Sequence, residues 1–251
     1  MLPFLFAAAL AATSPDSRHV ALLTVLRTSQ DATGCEVQQV RDAANTATII
    51  GLGRAGGDEI VLAEVQAPCL CRNASCPYYV LRIGTRATRL LYSTFAFAAH
   101  IEPAAPLPDL VFAEHDTVAV IGERTAAYRG GVYADVSSAR VRVDTGARKP
   151  DEVPVRFAPG SSARTLRGTA STGWYDSYAF AARAGQRLTL DAAGGTRNLN
   201  LILYGPGSGG KLIPMTLDEP ITVPASGTYH LLVEVESDAD RAYSVRLRIR
   251  G

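Results

Sequence analysis

The sequence predicts a mainly β protein. Its C-terminal part reads as an antiparallel two-sheet β-sandwich of about eight strands. A β-rich or α+β domain with disulfides precedes it. Three observations predict this. Apolar and polar residues alternate with a period of two along Tyr229–Glu236 and Tyr243–Arg250, as in strands with one face in a core and one in water. Glycine and proline clusters separate short apolar runs throughout. Cys35, Cys69, Cys71 and Cys76 all lie in the first half.

The N-terminal residues 1–13 are expected to be a secretory signal. Their apolar run ends near Ala12, well short of the ~20 residues a membrane span needs. Ala9-Leu-Ala11 is a small-x-small site, and Pro15 lies just beyond it. No Lys or Arg precedes the run. A periplasmic or secreted protein with no membrane span is expected.

Residues 18–144 are expected to form the cysteine-containing domain, of unassigned role. His19–Leu26, Thr46–Ile50, Glu59–Val65, Tyr78–Ile83, Arg89–Tyr92, Leu110–Phe112, Thr117–Ile121 and Ala139–Val143 are strand candidates. Glu36–Asn45 reads as a short helix with Val37, Val40 and Ala44 on one side. An even number of cysteines in an oxidising compartment implies disulfides. A Cys69–Cys71 bridge would close a very tight ring. Of the other two pairings, Cys35–Cys69 with Cys71–Cys76 is preferred. The rival is a four-thiolate zinc site, but Cys-x-Cys-x4-Cys lacks the usual Cys-x2-Cys spacing. No metal is expected.

Residues 145–154, polar with two prolines and a glycine, read as a linker. Residues 155–251 are the sandwich. Besides the two alternating segments above, Tyr178 and Phe180, Leu188 and Leu190, and Leu199, Leu201 and Leu203 mark strands.

Charge and motifs exclude more than they assign. The 25 basic and 24 acidic residues leave a net charge of +1, with no polybasic tract to suggest a nucleic-acid partner. Gly51-Leu-Gly-Arg-Ala-Gly56 matches a dinucleotide fingerprint, but one short apolar run follows instead of a helix. A hairpin turn is expected there. Gly205–Lys211 matches the start of a phosphate loop, but Leu212 stands where Ser or Thr would bind magnesium. A loop between sandwich strands is expected, and no cofactor. The histidines are His19, His100, His115 and His230, and no G-x-S-x-G elbow accompanies them. No enzyme is expected, although a hydrolase using His115 stays as a third hypothesis. Asp238 and Asp240 read as a solvated turn, with weak calcium binding as the alternative.

One resemblance spans most of the second part. Phe157-Ala-Pro-Gly-Ser-Ser-Ala163, Gly168, Tyr175-Asp-Ser-Tyr-Ala-Phe180, Ala184-Gly-Gln186, Leu203-Tyr-Gly-Pro-Gly207, Asp218-Glu-Pro220, Gly227-Thr-Tyr229 and Tyr243–Ile249 resemble the bacterial periplasmic inhibitors of g-type lysozyme. A wider group, the C-terminal pre-peptidase sandwich domains of secreted bacterial proteins, is similar in its Asp-x-Tyr-x-Phe, Ala-Gly-Gln and Gly-Thr-Tyr elements. The Gly-Ser-Ser-Ala turn and the Gly-Pro-Gly loop point to the inhibitor branch.

The resemblance implies a non-enzymatic protein that fills a muramidase cleft with surface loops. It implies partner contacts through Trp174, Tyr175, Asp176 and Arg241, with Ser161 and Ser162 on a neighbouring turn. The chain departs from the inhibitors in two places. Thr172-Gly-Trp-Tyr-Asp176 replaces their Gly-Tyr-Asp-Tyr-Asp run. The short Ser237–Ala242 turn, with Arg241 its one basic residue, replaces a longer basic hairpin. The alternative partner is cell-wall glycan, with Trp174 and Tyr175 stacked on sugar rings.

Overall fold

The computed structural model describes residues 15–117, 119–193 and 198–251. The expected signal, residues 1–13, lies outside them. The fold is mainly β and divides into two compact units. The first holds the described residues up to His115 together with Glu123–Ser137. The second holds Asp116–Gly122 and Ser138–Gly251.

The first unit begins with helix α1 (Pro15–Leu26). His19–Leu26 is therefore helical and not a strand. The reason lies in the spacing. Ala21, Leu22, Val25 and Leu26 are buried while Val20 is 63% exposed, which is one face of a 3.6-residue period. A short 3-10 turn, Gln30–Gly34, leads to α2 (Val37–Thr46). There the Glu36 N–H donates to Gln39 Oε1 at 2.8 Å, half of a capping box. The helix buries Val40, Ala43 and Ala44. Val37 points outward instead of joining them.

Strands β1 (Thr48–Ala55), β2 (Asp58–Glu64), β3 (Cys76–Ile83) and β4 (Thr88–Ala96) form an antiparallel meander. Val61, Ala63, Tyr79 and Leu81 share a core with both helices. Ile60, Leu62, Tyr78 and Val80 share another with Leu110, Phe112, Ala126 and Tyr133. Both faces are covered, so β2 and β3 are apolar without alternation. The segment Gly51–Gly56 runs along β1 and into its hairpin with β2, where Gly56 and Gly57 both have positive φ. That turn geometry favours glycine and leaves no helix to hold a pyrophosphate. Disulfides join Cys35 to Cys69 and Cys71 to Cys76. Among the described residues no cysteine is free, so no four-thiolate zinc site forms. The bridges are consistent with export.

Strands β5 (Ala98–Glu102), β6 (Asp109–His115), β7 (Val120–Arg129) and β8 (Val132–Arg142) follow in sheet order. Residues of β7 and β8 belong to both units. Their sequence candidates covered only an end of each, because polar residues interrupt the apolar signal.

In the second unit the expected linker is structured. Within it, β9 (Arg148–Pro150) pairs with β8, and β10 (Val153–Pro154) pairs in parallel with β12 (Asp176–Ala182). The remaining strands are β11 (Ala163–Ala170), β13 (Arg187–Ala192), β14 (Leu199–Tyr204), β15 (Ile213–Pro214), β16 (Ile221–Thr222), β17 (Gly227–Val235) and β18 (Arg241–Arg250). They form two sheets, β10-β12-β17-β14-β15 and β11-β18-β13-β16. Tyr229, Leu231, Val233 and Val235 of one meet Tyr243, Val245, Leu247 and Ile249 of the other, with Leu188, Leu190, Leu201 and Leu203. The expected alternation thus forms the sandwich core.

Candidate functional site

The register of β11 separates the expected contact residues into two groups. Ala163 pairs with Arg248 at one end of β11, and Ala170 pairs with Arg241 at the other. Seven steps of about 3.3 Å put these ends roughly 23 Å apart. Ser161 and Ser162 precede the first end. Trp174, Tyr175, Asp176 and Arg241 lie at the second.

The second end is closed by internal contacts. Ser171 and Trp174 exchange backbone hydrogen bonds of 3.1 and 2.9 Å across a tight turn. The Gly173 N–H donates to Glu234 Oε1 at 2.6 Å, and the Thr172 N–H to the Ser237 carbonyl at 2.9 Å. Trp174 is only 6% exposed. Arg142 stands 4.9 Å and Lys149 4.4 Å from its ring centroid. Tyr175 is half-buried, with the Arg140 guanidinium 3.9 Å from its ring centroid. Trp174 is too buried to stack on a sugar, and Arg140 covers one face of the Tyr175 ring.

The carboxylates of this end are engaged as well. Asp176 accepts from Lys149 Nζ at 3.0 Å and from the Tyr243 hydroxyl at 2.6 Å. Tyr243 also meets the Tyr178 hydroxyl at 2.7 Å. A Cβ on Gly168 would lie 2.1 Å from Asp176 Oδ2 and 2.6 Å from the Tyr243 hydroxyl, so β11 crosses this network only with glycine there. Asp240 accepts from both terminal nitrogens of Arg142, at 3.2 and 2.9 Å, and from Ser171 Oγ at 2.8 Å. Asp240 is thus an arginine partner in a fixed turn, and no calcium ligand set forms around it. Among the described residues no group of three metal-ligating side chains occurs. Asp116 faces the Tyr175 hydroxyl at 3.4 Å.

Burial and pairing tune these groups. Desolvation lowers the Lys149 pKa, opposed by the hydrogen bond to Asp176. Hydrogen bonds from Arg142 and Ser171 hold the Asp240 carboxyl below its ordinary value. Burial raises Asp116, with Arg140 opposing the rise. Burial also pushes the Tyr175 and Tyr243 phenols up, and for Tyr243 the hydrogen bond to Asp176 adds to it. The chemistry is that of a rigid ion-paired corner. Arg140, Arg142 and Lys149 build it, and sequence reasoning missed all three. The one available signal was Lys149, one of only two lysines in the chain. Arg241 is exposed at the edge of this corner.

The first end is open. Ser161 and Ser162 are exposed on the turn before β11. Ser161 Oγ closes that turn, donating to the Ala163 carbonyl at 2.9 Å. A cavity of about 360 Å³ lies beside them, lined also by Phe157, Arg183, Gln186 and Ile249. The Gly205–Gly207 loop belongs to the same end. Ala182, which lines that cavity, pairs with Gly227. A Cβ on Gly227 would lie 2.6 Å from Pro206. The loop is held by the Tyr229 hydroxyl, which donates to the Pro206 carbonyl at 2.6 Å. A Cβ on Gly205 would lie 2.6 Å from the Tyr229 ring.

No family model matches the chain, and no curated protein matches its sequence. Among solved structures, the chain is similar to the periplasmic inhibitor of g-type lysozyme from Salmonella Typhimurium. The identity is 26% over 41% of this chain and 100% of that one, with a TM-score of 0.36. The Aeromonas hydrophila inhibitor gives 26% identity over 39% of this chain and 96% of its own, at 0.34. A mutant of the Escherichia coli inhibitor gives 23% over 39% and 97%, also at 0.34.

Proposed function

We propose that this is an exported, non-enzymatic binding protein whose C-terminal sandwich inhibits a g-type lysozyme by presenting loops to the muramidase cleft. One observation carries the reading. The two sequence features that point to the inhibitor branch, the Ser161–Ser162 turn and the Gly205–Gly207 loop, lie at one end of the sandwich. That end is open, with both serines exposed and Arg183 beside them. A muramidase cleft carries acidic catalytic groups in a long groove. Projecting hydroxyl and guanidinium donors complement it.

Trp174 and Asp176 then serve as supports at the opposite end, not as contacts, and Arg241 stands apart from the docking loops. The motifs Asp176–Phe180, Gly168 and Tyr243 are accounted for by packing. They carry the scaffold, and the open turns carry the partner. The glycan-stacking alternative is weakened by the burial of Trp174 and by Arg140 over one face of Tyr175.

A wall-lysis assay with the whole protein, titrated against a g-type and a c-type lysozyme, tests the proposal. Selective inhibition of the g-type enzyme is expected, and Ser162→Glu, which sets a negative charge against the acidic cleft from an exposed position, should abolish it without lowering the melting temperature. A folded protein that inhibits neither enzyme would remove the reading. Inhibition weakened by Arg241→Ala but not by Ser162→Glu would move the contact to the other end.

A further inference from the structure

The outer face of the sheet β11-β18-β13-β16 brings two like charges face to face. Arg187 of β13 and Arg250 of β18 are direct cross-strand partners. Both are exposed. Like charges directly opposite each other in an antiparallel pair are unfavourable. Neither arginine side chain has an ion pair or hydrogen bond among the described residues. One step along the same face, Thr189 stands opposite Arg248. Arg248 Nε already lies 2.5 Å from Asp191 Oδ2. Arg187, Arg248, Arg250 and Thr189, with Asp218 and Pro220, line a cavity of about 340 Å³.

We propose that this cavity is an anion site for a phosphate monoester, held between Arg187 and Arg250. The donor geometry selects the ligand. Asp191 pairs with Arg248 and Asp218 offsets one further charge, so the site stays net positive while the guanidinium forks of Arg187 and Arg250 have no direct acidic partner among the described residues. A phosphate monoester carries close to two negative charges at neutral pH and three acceptor oxygens, and two guanidinium forks suit such a group. A carboxylate supplies one charge and two oxygens. Thr189 adds a hydroxyl donor. Asp218 is the one acid on the lining, and it disfavours anions of higher charge. The cavity is larger than a phosphate alone, so the ester's organic part has room against Pro220. The site adjoins the open end, where Gln186 and Ile249 line the neighbouring cavity, but its arginines project from the outer sheet face and phosphate binding is read without lysozyme.

The test is calorimetric titration of the whole protein at low ionic strength with inorganic phosphate, glucose 6-phosphate and dioctanoyl phosphatidic acid, and with glucose as the neutral control. Binding of a phosphate-bearing probe and none of glucose is expected, and the tightest of the three identifies the source of the group. Arg187→Gln and Arg250→Gln should each weaken binding by about tenfold or more. Asp218→Asn should tighten it. In the absence of anion, Arg187→Gln and Arg250→Gln should raise the melting temperature, because each removes the repulsion. Loss of binding through misfolding would lower it. No binding of any probe by the folded wild type, or unchanged binding in both arginine variants, would overturn the proposal.

Discussion

The Tyr243 hydroxyl donates to Asp176 Oδ2 at 2.6 Å, across the two sheets of the sandwich. This contact ties the start of β12 to β18 at the end that the internal ion pairs close. It is mostly out of water, so its removal leaves a carboxylate oxygen short of a donor. Tyr243→Phe is expected to cost about 1–3 kcal/mol, read as a lower urea midpoint with an unchanged slope. Gly168→Ala should cost about as much, because its Cβ would enter the same contact. Equal stability of either variant with the wild type would show that the network is not a support.

Alkaline stability follows from the buried phenols. Burial raises Tyr92, Tyr133 and Tyr178 to about 12, and raises Tyr78, Tyr79 and Tyr243 as well. With the folded pKa above the unfolded value near 10, the unfolded state loses its phenolic protons first. Their contribution is therefore fully present below pH ~10 and is lost as pH rises through the folded values. Lys149, whose folded pKa is lowered, acts in the opposite sense just below its unfolded value, but six phenols outweigh one amine. Stability should fall steeply above pH ~10. Phenolate absorbance should rise in two phases, the second coinciding with loss of circular dichroism. A single early phase would mean that these rings are exposed.

Trp174 is the chain's one tryptophan, so its fluorescence reports a single site. Burial between Arg142 and Lys149 predicts weak quenching by acrylamide in the native state and strong quenching in urea. Strong native quenching would return the ring to the surface and restore the sugar-stacking reading. Trp174→Ala is expected to cost about 3–5 kcal/mol through the lost packing.

The two disulfides should differ in weight. Cys35–Cys69 spans 34 residues and Cys71–Cys76 spans 5. In the chain-entropy account the longer loop contributes about 3–4 kcal/mol and the shorter one less. Replacing Cys35 and Cys69 together by Ala should therefore lower the urea midpoint more than replacing Cys71 and Cys76. The reverse order would show that the short bridge holds native geometry that the entropy account omits.

The sandwich was legible because its strands have one wet face. Tyr229–Val235 and Tyr243–Ile249 alternate cleanly, and the alternation is the core. In the first unit this signal fails where both faces are covered, as in β2 and β3. It also fails at α1, where eight residues of a helical stripe resemble a short apolar strand. Lys149 and Arg140 lay in stretches whose composition suggested a linker or an ordinary strand end, so their contacts with Trp174 and Tyr175 were invisible.

The sequence by itself determined the class of fold and the period of its strands, since these depend on local patterning. Only the tertiary structure decided which turns share an end of the sandwich and which aromatic faces stay free. Strand register sets the first, placing Ser161 and Trp174 at opposite ends of one strand. The second depends on cations that approach Trp174 and Tyr175 from strands more than twenty residues earlier in the chain, a juxtaposition that no local pattern encodes.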